Sequence, residues 1–170
     1  MSLFDTINFE HRGNTENDIQ LKTDNETQQA VIDLSSNALR NIKIFTPDLQ
    51  KEIYANNTFR ETLIGFAKGN RHAQIQILTA DTSKAIKQGH PLIPLAKKLT
   101  SALTIKIQPE EYQSSAISFL LIDQSNFIFR NLHNKYTFIS ECKYRNNILQ
   151  AFFSDAWEQA EQDIETRNIY

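Results

Sequence analysis

The residue types that could do chemistry in this 170-residue chain are four histidines, one cysteine and a scatter of serines. His11, His72, His90 and His133 stand far apart. They make no His-x-His or His-x-x-x-His pair, so no zinc motif is visible. Cys142 is alone, which excludes an intrachain disulfide and a cysteine cage for metal. Ser35-Ser36 and Ser114-Ser115 lack the Gly-x-Ser-x-Gly frame of a serine hydrolase. Four glycines in all, none in a phosphate-cradling run, argue against P-loop and dinucleotide folds. No cofactor and no metal is expected.

What remains is a set of aspartates and cations. Asp81 and Asp123 each follow an apolar run of strand length (AQIQILTA and ISFLLI). Ligands of open α/β sheets gather at the ends of such strands. The plainer role is local: Asp81 capping the turn at Thr82-Ser83-Lys84, and Asp123 making an Asx-turn with Ser125. Arg130, Lys135, Lys143 and Arg145 lie close in sequence beside Tyr136, Phe138 and Tyr144. Cations interleaved with aromatics can hold phosphates and stack bases, so a nucleic acid or phosphoanion is one expected partner. The alternative is a solvated hairpin over core aromatics. His133 follows Arg130 closely, and these two with Asp81 and Asp123 would form the centre of an enzyme with a displaced site. The candidate ligand-binding residues are therefore Asp81, Asp123, Arg130, His133, Lys135, Lys143 and Arg145; no residue is assigned as catalytic.

The elements that must position them follow from hydrophobic periodicity. Thr23-Asp24-Asn25-Glu26 is a capping box ahead of Ala30, Val31, Leu34, Ala38 and Leu39, which predicts a helix. Asn41–Thr46 alternates as a strand, and Pro47-Asp48 stops it. A second capping box at Thr58 opens a helix closed by Gly69-Asn70. Ala73–Ala80 predicts a strand, Pro91–Leu103 a helix, and Thr104–Ile107 a short strand. Ile117–Asp123 and Phe127–Arg130 flank the turn residues Gln124-Ser125-Asn126, which predicts a hairpin. Tyr136–Ile139 is one more strand, and a helix runs from about Arg145 to Glu165 with a wide apolar stripe. Strands alternating with helices predict a three-layer α/β domain over residues 26–170: a mixed, mainly parallel sheet flanked by helices. Residues 1–25, polar with isolated apolar side chains, are expected to be a flexible arm.

Charge and composition narrow the rest. With 18 Lys and Arg against 20 Asp and Glu the net charge is −2, unlike a dedicated DNA coater. No apolar run approaches a membrane span, and Met1–Asp5 lacks the pattern of a secretory signal. The expected location is the cytoplasm, without membrane insertion.

The element order, together with Asp81 after IQILTA, Lys97-Lys98-Leu99 on a helix, the IKI strand, the FLLID hairpin and the FFSDAW helix, resembles one half-domain of the phospholipase D-like superfamily over residues 26–163. The diagnostic motif of that family is His-x-Lys-x-x-x-x-Asp, with the histidine as nucleophile and the lysine steadying phosphate oxygens. Set on Asp123, the motif puts Ala116 at the histidine and Ser118 at the lysine. Alanine has no nucleophile and serine carries no fixed charge. The resemblance thus implies a bacterial pseudoenzyme: a phospholipase D-like scaffold without the phosphodiesterase motif, acting as a binding or regulatory module. Half-domains of this family pair across a two-fold axis, which implies a homodimer; a protein partner is a further expectation.

Overall fold

A computed structural model describes residues 17–167. Most of the expected arm, residues 1–16, lies outside the described residues. Its last part does not lie apart from the fold. Ile19–Leu21 (β1) pairs antiparallel with a later strand, and Thr23 caps helix α1 (Asp24–Ser36) by accepting the Glu26 N–H at 3.1 Å. The ordered sheet therefore begins ahead of residue 26.

The chain continues through β2 (Asn41–Thr46), a one-turn α2 (Lys51–Tyr54), α3 (Asn57–Gly69) and β3 (Gln74–Thr79). Helix α3 starts earlier than Thr58, because Asn56 accepts the Phe59 N–H at 2.7 Å and is the true cap. Next come α4 (Ser83–Lys87), α5 (Leu92–Lys98) and β4 (Leu103–Ile107). The hairpin is β5 (Ile117–Ile122) with β6 (Asn126–Asn131). Then follow β7 (Thr137–Ser140), α6 (Lys143–Gln159) and the two-residue β8 (Glu161–Gln162).

All strands join one sheet in the order β1-β7-β6-β5-β2-β3-β4-β8. It is mixed and flanked by helices, as expected, but it is not mainly parallel. Among the described residues only β2–β3 and β3–β4 of the seven pairings are parallel. Tight connections after β5 and β6 leave no length for a crossover helix, so those strands must reverse.

Strand alternation divides the core in two. Ile42, Ile44, Ile75, Ile77, Leu120, Ile122 and Ile128 pack with α1, α3 and α5. Phe45, Leu78, Phe119, Phe127, Phe129 and Phe138 face the other way and meet Leu149, Phe152 and Phe153 of α6. Phe45 and Phe119 are stacked at 5.1 Å, and the edge of Phe152 meets both rings. One aromatic helix thus covers what several helices cover opposite.

Candidate functional site

Because β5 and β6 reverse, one sheet edge collects residues from many elements. The C-terminal ends of β2, β3 and β4 share it with the start of β5, the end of β6 and the start of β7. Between β2 and β3 that edge is closed. The buried Gln108 amide donates to the Thr46 and Leu78 carbonyls at 2.9 and 3.1 Å.

Further along, Ser118 and Arg130 are cross-strand partners. Their register puts both on the face of Leu120 and Ile128, toward α1. Ser118 is buried, and its hydroxyl donates to Gln50 Oε1 at 2.7 Å. The Arg130 side chain is 7% exposed; its Nη2 donates to Asp24 Oδ1 at 3.0 Å, and Asp24 is 52% exposed. Arg130 Nε and Nη1 are buried without a hydrogen-bond partner. Tyr54 closes the cluster from α2. Burial pushes its hydroxyl pKa well up, while a hydrogen bond with Ser118 and the Arg130 charge pull the other way.

Gln50 reaches Ser118 only because the chain after β2 turns sharply. Leu49 and Gln50 have φ of 67° and 29°, in the left-handed region that costs a non-glycine residue about 1–2 kcal/mol. Two anchors hold this turn. Asp48 Oδ1 accepts the Gln50 N–H at 3.1 Å. His90, buried after the left-handed Gly89, sits beneath it. Its Nδ1 faces the Leu92 N–H at 3.2 Å and its Nε2 faces the Leu49 carbonyl at 3.1 Å, which assigns the proton to Nε2. Burial lowers the His90 pKa, opposed by the Leu49 bond and by Asp48. Gln50, Tyr54 and this role of His90 carry no local sequence signal; strain and register bring them in.

The residues singled out by sequence are dispersed. Asp123 follows β5 at the opposite edge, since β5 runs against β2. It makes no Asx-turn with Ser125. Its carboxylate accepts the N–H groups of Leu39, Arg40 and Asn41 at 2.9, 2.8 and 2.9 Å. Asp81 is exposed after β3 and accepts from the Ser83 hydroxyl and N–H at 2.6 and 3.0 Å, which lower its pKa. It borders a shallow depression of about 340 Å³ with Lys87 and Glu165, which includes no other candidate. Asp81 stands three strands from Arg130, about 14 Å at the usual strand spacing.

His133 and Lys135 are exposed in the β6–β7 loop, and Lys143 is exposed at the start of α6. Arg145 is buried; its Nη2 meets Asp18 Oδ1 at 2.6 Å and Ser140 Oγ at 2.8 Å, with the guanidinium 5.0 Å from the Phe138 ring. Arg130 and Arg145 are thus committed inside the fold, Phe138 is core, and the basic-aromatic surface does not assemble from them. Cys142 occupies the N-cap position of α6, and its thiol pKa is lowered, chiefly by the Arg145 N–H. Among the described residues no three metal-ligating side chains cluster, and no helix is long and apolar enough to cross a membrane.

The sheet order and the two-sided helical cover define a phospholipase D-like fold, and solved structures agree. NucT from Helicobacter pylori aligns at a TM-score of 0.58 and 11% identity, over 86% of this chain and 98% of that one. Nuc from Salmonella typhimurium, a phospholipase D family member, aligns at 0.55 and 11%, over 79% and 89%. TrmBL2, an archaeal chromatin protein with a novel mode of DNA binding, aligns at 0.62 and 14%. That match covers 88% of this chain, which spans only 54% of TrmBL2. No curated protein matches in sequence. The chain belongs to the family described as a domain of unknown function, DUF7931, whose model matches residues 23–169.

Proposed function

We propose that this chain is a non-catalytic binding or regulatory module on a phospholipase D-like scaffold. The observation that carries this is Ser118. It stands where the resemblance places the phosphate-steadying lysine, and its buried hydroxyl is engaged with Gln50 at 2.7 Å. Ala116, at the corresponding histidine position, has no nucleophile. The exposed position of His133 in the β6–β7 loop, with Asp123 at the opposite sheet edge, weighs against a displaced centre built from these residues.

The test is turnover of bis-(p-nitrophenyl) phosphate and of plasmid DNA, with and without magnesium. The expected result is a rate equal to buffer. Turnover lost in His133→Ala would overturn the proposal in favour of a displaced active site.

The second reading, a nucleic-acid partner, draws on the likeness to the DNA-binding TrmBL2, but the basic-aromatic surface it needs is incomplete. Two of the four cations it would need, Arg130 and Arg145, are buried in ion pairs. Pairing of two copies is part of the proposal. The sheet ends in a three-residue and a two-residue strand, and Ile19 on the former is 60% exposed. Light scattering should return about twice the chain mass of 19.6 kDa.

A further inference from the structure

We propose that helix α3 is the surface on which two copies of this chain meet, crossing antiparallel at Gly65. This rests on the pairing of copies proposed above and names its face. Gly65 stands inside α3 and is exposed. A glycine within a helix costs stability against alanine, because its unfolded backbone has more freedom to lose. Nothing inside the chain asks for it: a Cβ built there would meet no atom within 4 Å. What a missing side chain permits is the close approach of another backbone.

The surroundings of Gly65 leave a face uncovered. Gly65, Phe66, Ser35 and Leu39 line an open depression of about 520 Å³ between the ends of α1 and α3. Leu39 is 73% exposed. Ser35 is buried, yet its hydroxyl has no hydrogen-bond partner, whereas Ser36 and Thr62 beside it donate to the Asp33 and Thr58 carbonyls at 2.7 and 2.8 Å. Buried hydroxyls in a finished core are seldom left so. Charge fixes the occupant and its direction. Glu61 lies four residues before Gly65 and Lys68 three after, so the two stand one heptad apart on one flank of the helix. Against a second α3 running the other way and centred at Gly65, Glu61 of each copy falls opposite Lys68 of the other, and the pair is made twice. A parallel crossing would set like charges together. Arg60 takes Glu61 Oε1 at 2.7 Å, which leaves Oε2 for this contact, and Lys68 makes no ion pair among the described residues. A face that matches its own inverted copy is what a two-fold interface requires, so the occupant is a second copy of this chain.

Sedimentation velocity of the full chain over the micromolar to millimolar range measures the pairing, and wild type is expected to dimerise. Glu61→Lys and Lys68→Glu each set like charges together twice. Each should raise the dissociation constant about tenfold, the size expected when two exposed ion pairs turn repulsive. An equimolar mixture of the two variants should recover the wild-type affinity, because only in the mixed pair does every lysine face a glutamate. Gly65→Leu should abolish pairing with the fold intact by circular dichroism, since leucine favours a helix and its Cβ meets nothing within the chain. Wild type that stays monomeric overturns the pairing itself. A dimer that all three variants leave at wild-type affinity overturns this face and keeps pairing through another. A mixture no tighter than its parts overturns the antiparallel crossing. None of these results touches the absence of turnover, and with it the non-catalytic module.

Discussion

Replacing Asp123 distinguishes a structural clamp from a ligand-binding carboxylate. In the wild type its two oxygens accept three backbone N–H groups from the segment that leads into β2. Its own N–H donates to the Asn41 carbonyl at 2.8 Å, and its carbonyl accepts from Gln150 at 2.8 Å. Asp123→Ala keeps the backbone bonds and removes the three side-chain ones. The donors lie near solvent and can be rehydrated, so each bond is worth about 1 kcal/mol net. Residue 123 has a φ of 51°, where alanine costs about 1 kcal/mol more than an Asx residue. The expected loss is therefore about 4 kcal/mol, or roughly 8–16 °C in Tm for a chain of this size. Asp123→Asn tolerates the same φ and keeps Oδ1, which serves Arg40 and Asn41. It should lose one bond and weaken two, for about 2 kcal/mol. Urea denaturation followed by circular dichroism measures both. An alanine variant within about 1 kcal/mol of wild type, or equal losses for the two variants, would refute the clamp.

Three further outcomes test other parts of the molecule. His90 is held neutral with a lowered pKa, so the unfolded chain binds the extra proton first. Its contribution is fully present above the unfolded value of about 6.5 and is lost as pH falls from there through the folded value. Urea midpoints at pH 7.5 and pH 5 should differ less in His90→Gln than in wild type, and an unchanged difference would contradict this. The Arg145–Asp18 pair is buried on both sides, so Asp18→Ala should cost about 3–5 kcal/mol in urea denaturation; a loss under about 1 kcal/mol would mean the pair is dispensable. Cys142 has a lowered pKa, chiefly from the Arg145 N–H, so its alkylation by iodoacetamide should show a pH midpoint below that of the same thiol in the urea-unfolded chain. A midpoint at or above that value would remove the effect.

The parts of the fold legible in sequence are those whose cause is local. Thr23 and Glu26 announce α1 because a cap satisfies backbone donors within one turn. Ile117–Ile122, Gln124-Ser125 and Phe127–Arg130 announce the hairpin because a short polar turn between apolar runs has few other ways to fold. Strands β1 and β8 are not legible. Three and two residues long, they are strands only because β7 and β4 offer them an edge. Helix α6 ends at Gln159, short of Glu165, because Glu161–Gln162 turns back to pair with β4. Arg145 reads as a surface cation until Asp18, distant in sequence, arrives to neutralise it. The position of Asp123 is illegible for a topological reason: a strand end in sequence does not say which edge of a mixed sheet it reaches.

That topology separates the two ends of the sheet in physical kind. At the Asp123 end, a charged side chain accepts three backbone N–H groups, so its donors and acceptors are matched. At the Arg130 end, two left-handed residues, a buried neutral histidine and a guanidinium with two unpartnered nitrogens lie within one stretch of the edge. The turn and the histidine form one assembly, since the turn brings Gln50 to Ser118 and His90 holds the Leu49 carbonyl. Ser118 and Arg130 are therefore built into the core by long-range contacts, while Asp81 and Asp123 serve the backbone beside them.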